Sequence, residues 1–96
     1  MGERILIIED DEALGRLMRL QLERVGYEVA MCLEGASALE DARKFHPDLV
    51  LLDILLPDLD GWVVCEKLRE ISEAPIIFTT ALGSSDDMIR GLELGA

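Results

Sequence analysis

Asp53 ends an apolar run, LVLL at 49 to 52, and is followed by a turn-rich stretch, ILLPDLDG, at 54 to 61. A carboxylate at the carboxyl end of a buried strand is costly unless it is paired, hydrogen-bonded or bound to a metal. Polar groups stand at the same kind of position elsewhere: ILII at 5 to 8 opens into Glu9, Asp10, Asp11 and Glu12, and IIF at 76 to 78 opens into Thr79 and Thr80. If the first and third runs are neighbouring strands, Glu9, Asp10 and Asp53 converge. Like charges so placed raise one another's pKa unless something neutralises them, and a divalent cation is the economical solution. One or two carboxylates, the Leu55 backbone carbonyl and waters form an oxygen-only set that suits Mg²⁺, whereas zinc would want nitrogen or sulfur. The spacing is not that of an EF-hand, because Leu56 occupies the first acid position ahead of Asp58, Asp60 and Gly61. A metal beside a nucleophilic carboxylate and a nearby hydroxyl permits aspartyl-phosphate chemistry, with Asp53 as nucleophile and Thr80 hydrogen-bonding a phosphoryl oxygen. Each element is ordinary alone; the specificity comes from three strand ends agreeing.

The elements that must position these groups alternate along the chain. Residues 5 to 8 read as a strand buried on both faces. From 13 to 25, Leu14, Leu17, Met18, Leu22 and Val25 share one face at helical spacing, and Gly26 supplies the stop. Residues 27 to 33 place Tyr27, Val29, Met31 and Leu33 on alternate positions, a strand less uniformly apolar and so nearer a sheet edge. Ala38, Leu39, Ala42 and Phe45 give a second helix face, which His46 and Pro47 terminate, since the residue before proline is pushed out of the helical region. The third strand runs up to Asp53. Val64, Cys65, Leu68 and Ile71 line a third helix, with Trp62 packing at its start. Pro75 precedes a fourth strand, and Ser84, Ser85, Asp86 and Asp87 form an N-cap cluster for a fourth helix carrying Met88, Ile89 and Leu92, closed by Gly95. Four such alternations with short connections predict an α/β fold with a parallel sheet and helices on both faces. Ligands in such sheets sit beyond the carboxyl ends of the strands.

The 96 residues form one domain with room for a small core, and 50% hydrophobic content with mixed charges excludes a disordered chain. A net charge of -11 argues against nucleic acid as a direct partner and favours a cation. No apolar run approaches the roughly 20 residues of a bilayer span, and the N-terminus lacks the order of a secretory signal, so a cytoplasmic location is expected. Cys32 and Cys65 have no ligand-spaced partner and read as core residues.

The order ILIIEDDE, LVLLDILLPDLDG, IIFTTA and RGLELGA strongly resembles the receiver domain of bacterial two-component response regulators over essentially the whole chain. The resemblance implies a flavodoxin-like (CheY-like) three-layer sandwich with strand order 2-1-3-4. It implies that Asp53 takes a phosphoryl group from a sensor histidine kinase and that Glu9, Asp10, Asp53 and the Leu55 carbonyl hold Mg²⁺. It makes Thr80, followed by Ala81, the switch and phosphoryl-binding position, and Pro57 and Gly61 the turn after the phosphoacceptor; Asp58 and Asp60 are left as solvated turn residues. Such a protein is a phosphoacceptor in signal transduction and at most catalyses its own phosphorylation and dephosphorylation. Receivers also carry a fifth strand with a lysine, and a fifth helix, which this sequence lacks; residues 1 to 96 are expected to be an incomplete domain that could associate with a second copy through the fourth-strand edge. Receivers ending this way are commonly fused to DNA-binding domains.

Other readings are separable. Asp58-Leu59-Asp60-Gly61 resembles the nucleophile motif of haloacid-dehalogenase-type phosphohydrolases, but Pro57 precedes it where that motif needs a strand. A receiver fold used only as a non-phosphorylated interaction module would not need the acidic trio or Thr80. FMN binding lacks its Ser/Thr/Gly-rich phosphate loop after the first strand.

Overall fold

The computed structural model describes residues 2–53, 56 and 60–79. Within them the chain alternates β1 (Arg4–Ile8), α1 (Glu12–Val25), β2 (Glu28–Cys32), α2 (Gly35–Phe45), β3 (Leu49–Leu52), α3 (Gly61–Ile71) and β4 (Ile76–Phe78). The strands form one sheet in the order β2-β1-β3-β4, with every neighbouring pair parallel. The expected fourth helix, from Ser84 to Gly95, lies outside the described residues.

Three layers result from the period-2 alternation of the central strands. Leu6 and Ile8 of β1, with Val50 and Leu52 of β3 and Ile76 of β4, face Ala38 and Ala42 of α2 and Val64, Cys65 and Leu68 of α3. Ile5 and Ile7, with Val29, face the other way, where Met18 and Leu22 of α1 cover them. Residues 5 to 8 are at most 2% exposed, so β1 is apolar throughout because both its faces are covered. Its partner β2 stands at the sheet edge, as its mixed pattern predicts.

The core face of α1 is narrower than expected. Met18 and Leu22 face the sheet as expected, joined by Gly15, whereas Leu14, Leu17 and Val25 of the same expected face are 41%, 53% and 73% exposed. Helical spacing admits all five residues to one broad face, of which the sheet covers only part. Leu33 lies beyond the end of β2 and is 39% exposed. Ile71, at the last turn of α3, is likewise at the surface at 36%.

The helix ends are set by local chemistry. Asp11 caps α1, its Oδ1 accepting from the Leu14 N–H at 3.2 Å, and Gly26 closes it in the left-handed region at φ 110. His46 ends α2 at φ 53, ψ 62 and donates its backbone N–H to Ala42 O. Asp60 is no free turn residue: its Oδ1 accepts from the Trp62 N–H at 2.8 Å and starts α3, of which Gly61 is the first residue. At the amino end of the sheet, Arg4 draws three elements together. Its Nε donates to Glu28 at 3.0 Å and its Nη1 to the Phe45 carbonyl at 2.9 Å, while its guanidinium lies 5.6 Å from the Phe45 ring centre. Asp48 Oδ2 accepts from the Arg4 N–H at 2.8 Å. Cys32 and Cys65 are free and buried, as expected of core residues, and burial pushes both thiols up.

Asp60→Ala, which removes a helix cap, and Arg4→Met, which removes the latch at the opposite end, are each expected to lower stability by about 1 kcal/mol. Urea unfolding followed by circular dichroism reads this as a lower midpoint at an unchanged slope.

Candidate functional site

The parallel registers bring three strand ends to one edge. Ile8 lies opposite Leu52, and Leu52 opposite Phe78. The ladder continues one residue past the strands: Asp53 N–H donates to Ile8 O at 2.9 Å, Glu9 N–H to Cys32 O at 3.0 Å, and Thr79 N–H to Leu52 O at 3.0 Å. These bonds hold the backbones of Glu9 and Asp53 side by side. One carboxylate oxygen from each of Glu9, Asp10 and Asp53 lies within 4.8 Å of the others.

Burial differs sharply within the trio. Glu9 is 3% and Asp53 7% exposed, whereas Asp10 is open to solvent. Burial is the largest influence on Glu9 and pushes its carboxyl up to about 8; the hydrogen bond it shares with Asp53 and the charge of Asp53 act in the same direction. The Asp11 N–H, donating to Glu9 Oε2 at 3.3 Å, opposes this without cancelling it. Asp11 itself is engaged as the α1 cap, so of the three acids at 9 to 11 it is Glu9 and Asp10 that accompany Asp53.

The donor chemistry fits a hard divalent cation. Three carboxylates supply oxygen only, no histidine or thiol joins them among the described residues, and a cation would offset the burial and the Asp53 charge that lift Glu9. Leu55, Pro57, Thr80 and Ala81, also expected at the site, lie outside the described residues. Thr79, directly after β4, is half-buried, and its Oγ1 is buried with no hydrogen-bond partner among the described residues.

Two contributors are not evident as such from the motifs. A Cβ at Gly15 would fall 2.8 Å from the Met31 methyl, so the absence of a side chain makes room for Met31, beside which the stem of Glu9 lies at ordinary contact distance, 3.9 Å. Nothing in the sequence distinguishes this glycine from a merely tolerated one. Asp60, by contrast, has a signal, since an aspartate directly before a helical apolar pattern is an N-cap signature.

Residues 5–96 match the family described as response regulator receiver domain. The probable transcriptional regulator ycf27 of Galdieria sulphuraria is 47% identical over 94 residues, covering 98% of this chain and 37% of that protein. The alkaline phosphatase synthesis transcriptional regulatory protein PhoP of Bacillus subtilis is 42% identical over 97 residues, 100% of this chain and 40% of that protein. The BeF3-activated N-terminal receiver domain of Klebsiella pneumoniae RstA superposes with a TM-score of 0.92 at 38% identity, over 98% of this chain and 80% of that one. The chain thus spans about two fifths of the length of the curated relatives it matches.

The raised Glu9 pKa makes stability depend on pH. The folded chain holds the Glu9 proton up to about pH 8, while the unfolded chain releases it near 4.5. The contribution is therefore fully present below about 4.5 and is lost as pH rises through about 8. Metal-free protein is expected to melt at progressively lower temperature across that window. Mg²⁺ should raise the melting temperature more at pH 8 than at pH 5, and Glu9→Gln should flatten the metal-free pH dependence. Differential scanning calorimetry with and without chelator checks all three.

Proposed function

The chain belongs to the response regulator receiver domains of two-component signal transduction, and on that premise we propose that Asp53 is its phosphoacceptor. The observation that supports this most is the burial of Asp53 against Glu9 and Asp10 at the carboxyl edge of the sheet, an arrangement that disfavours folding unless it serves a bound cation and a transferred group. A carboxylate oxygen of Asp53 attacks the phosphorus of a phosphohistidine on a sensor kinase. The P–N bond breaks, its electron pair stays with the imidazole nitrogen, which takes up a proton, and an acyl phosphate forms on Asp53.

Glu9 and Asp10, with Asp53 and the Leu55 carbonyl, are the proposed Mg²⁺ ligands; the bound ion supplies charge compensation for phosphoryl oxygens. The other groups act by position. The Ile8 carbonyl holds the Asp53 backbone, and the Asp11 N–H orients one oxygen of Glu9. Thr80 is proposed to donate its hydroxyl to a phosphoryl oxygen, with the Ala81 backbone beside it, and Pro57 to turn the chain away from the site.

The proposed partner is a sensor histidine kinase, and the chain acts as a signalling phosphoacceptor, not as a turnover enzyme. Among the described residues no helix is long and apolar enough to cross a membrane, and a cytoplasmic site of action is proposed. Several relatives are named transcriptional regulators, so control of transcription is the proposed output of the whole protein, with this acidic domain itself contacting no nucleic acid. Association with a second copy along the outer edge of β4, where Ile77 is 49% exposed, is also proposed. Light scattering that finds only monomer at high concentration removes that part.

A small-molecule acyl phosphate with Mg²⁺ is expected to add one phosphoryl group, located at Asp53 by peptide mass mapping. Asp53→Asn should abolish the adduct, and Glu9→Gln or Asp10→Asn should slow its formation by roughly tenfold or more. An adduct that survives Asp53→Asn would overturn the assignment, and the absence of any adduct would favour a non-phosphorylated interaction module.

A further inference from the structure

In a parallel sheet flanked by helices, each helix ends beside the start of the next strand, at the edge opposite the acidic trio. Here α2 ends at Phe45 and α3 at Ile71, and the two ends border a cleft of about 250 Å³ lined by Ala42, Arg43, His46, Pro47, Ile71 and Ser72. That volume is the share of roughly eight water molecules in the liquid, more than a lone ion fills and less than a drug-sized ligand needs. Ala42 and Pro47 are buried and form an apolar floor, and Ile71, exposed at the last turn of α3, adds an apolar wall.

The polar part of this lining runs against the charge of the chain. The sequence holds 20 Asp and Glu against 9 Lys and Arg, yet the cleft presents a guanidinium, an imidazole and a hydroxyl, and no carboxylate among the described residues. Lys44 is ion-paired with Glu40 at 3.0 Å, whereas its neighbour Arg43 enters no ion pair among the described residues. Ser72 Oγ accepts from the Ala74 N–H at 3.1 Å, and its own O–H remains a donor. His46 follows α2 at φ 53, ψ 62, a position that glycine usually takes. A side chain kept there at a backbone cost points to a use for the imidazole, and it lines the cleft.

We propose that this cleft binds a small organic monocarboxylate. Arg43 and His46 donate to the carboxylate, Ser72 supplies a third donor, and Ala42, Pro47 and Ile71 cover the apolar body of the ligand. A guanidinium suits this task because its paired N–H groups match the two oxygens of a carboxylate. The helix ends limit the charge of the ligand. Both α2 and α3 turn their carbonyl ends, the negative poles, toward this edge, which penalises a dianion such as phosphate more than a monoanion. A plainer role for Arg43, complementing the end of α2, needs neither the imidazole nor the apolar wall. The cleft lies at the far edge of the sheet from Asp53, so the proposal stands independently of the phosphoacceptor reading.

The test adds sodium benzoate to the isotope-labelled wild-type chain, with sodium chloride balancing ionic strength, and follows amide shifts by NMR. Saturable shifts centred on Arg43, His46 and Ser72 are expected, with a dissociation constant on the order of 1 mM. His46→Gly, which suits the backbone at that position, and Arg43→Gln should each weaken binding by about fivefold or more while circular dichroism stays unchanged. Acetate, which lacks the apolar body, and inorganic phosphate should both bind more weakly than benzoate. Shifts that never saturate, that centre elsewhere, or that persist unchanged in both variants would overturn the proposal. Phosphate binding as tightly as benzoate would also overturn it, by making the cleft a general anion patch. If Arg43→Gln fails to fold, the wild-type titration and His46→Gly decide the matter.

Discussion

The structure depends on one electrostatic tension: two buried carboxylates, Glu9 and Asp53, held next to each other by the parallel pairing of β1 with β3. The Asp53 N–H to Ile8 carbonyl bond leaves the two acids little freedom to separate by backbone movement. Glu9 responds by retaining its proton far above the usual carboxylate range. A chain optimised for stability would place apolar residues here. That it places acids, with Asp10 completing a cluster, ties the cost to function.

The rest of the molecule offsets that cost on one side of the sheet more than on the other. Between the sheet and α2 and α3 lies a continuous core from Leu6 and Ile8 through Val50, Leu52 and Ile76 to Val64, Cys65 and Leu68. Asp53 comes directly after Leu52, a fully buried member of this core, so its backbone starts from a rigid point. The face under α1 is thinner, with Ile5, Ile7 and Val29 covered by partly buried side chains such as Met18 and Leu22. Gly15 makes room for Met31 beside the stem of Glu9, and Asp11 links the acidic loop to the first turn of α1. The acid cluster thus sits where a dense core, a close-packed helix start and a hydrogen-bonded edge meet.

The motifs also separate by purpose along the strand axis. At the amino end of the sheet, Arg4 ties β1 to β2 and to the end of α2. At the carboxyl end stand the three carboxylates Glu9, Asp10 and Asp53. A salt-bridged end and a charge-frustrated end on one sheet are what a fold needs if it must be firm at one edge and responsive at the other.

The sequence by itself determined the alternation of elements and the parallel sheet. Runs such as ILII are apolar at every position only when both faces are covered, and the breaks after Val25 and Phe45 carry glycine or a residue before proline. It also determined which residue types reach the carboxyl edge, because the last apolar residue of a strand fixes where the next side chain stands. Tertiary structure brings Glu9 and Asp10 together with Asp53, while the geometry of the α1 turn diverts Asp11 to capping. It decided how much of the α1 face is covered, since Leu14 and Leu17 fit the helical period as well as Met18 and Leu22 do yet stand exposed. It likewise decided that Trp62 meets Phe78. Periodicity records which residues could be buried together; distance between segments remote in sequence is settled only when the sheet register is formed.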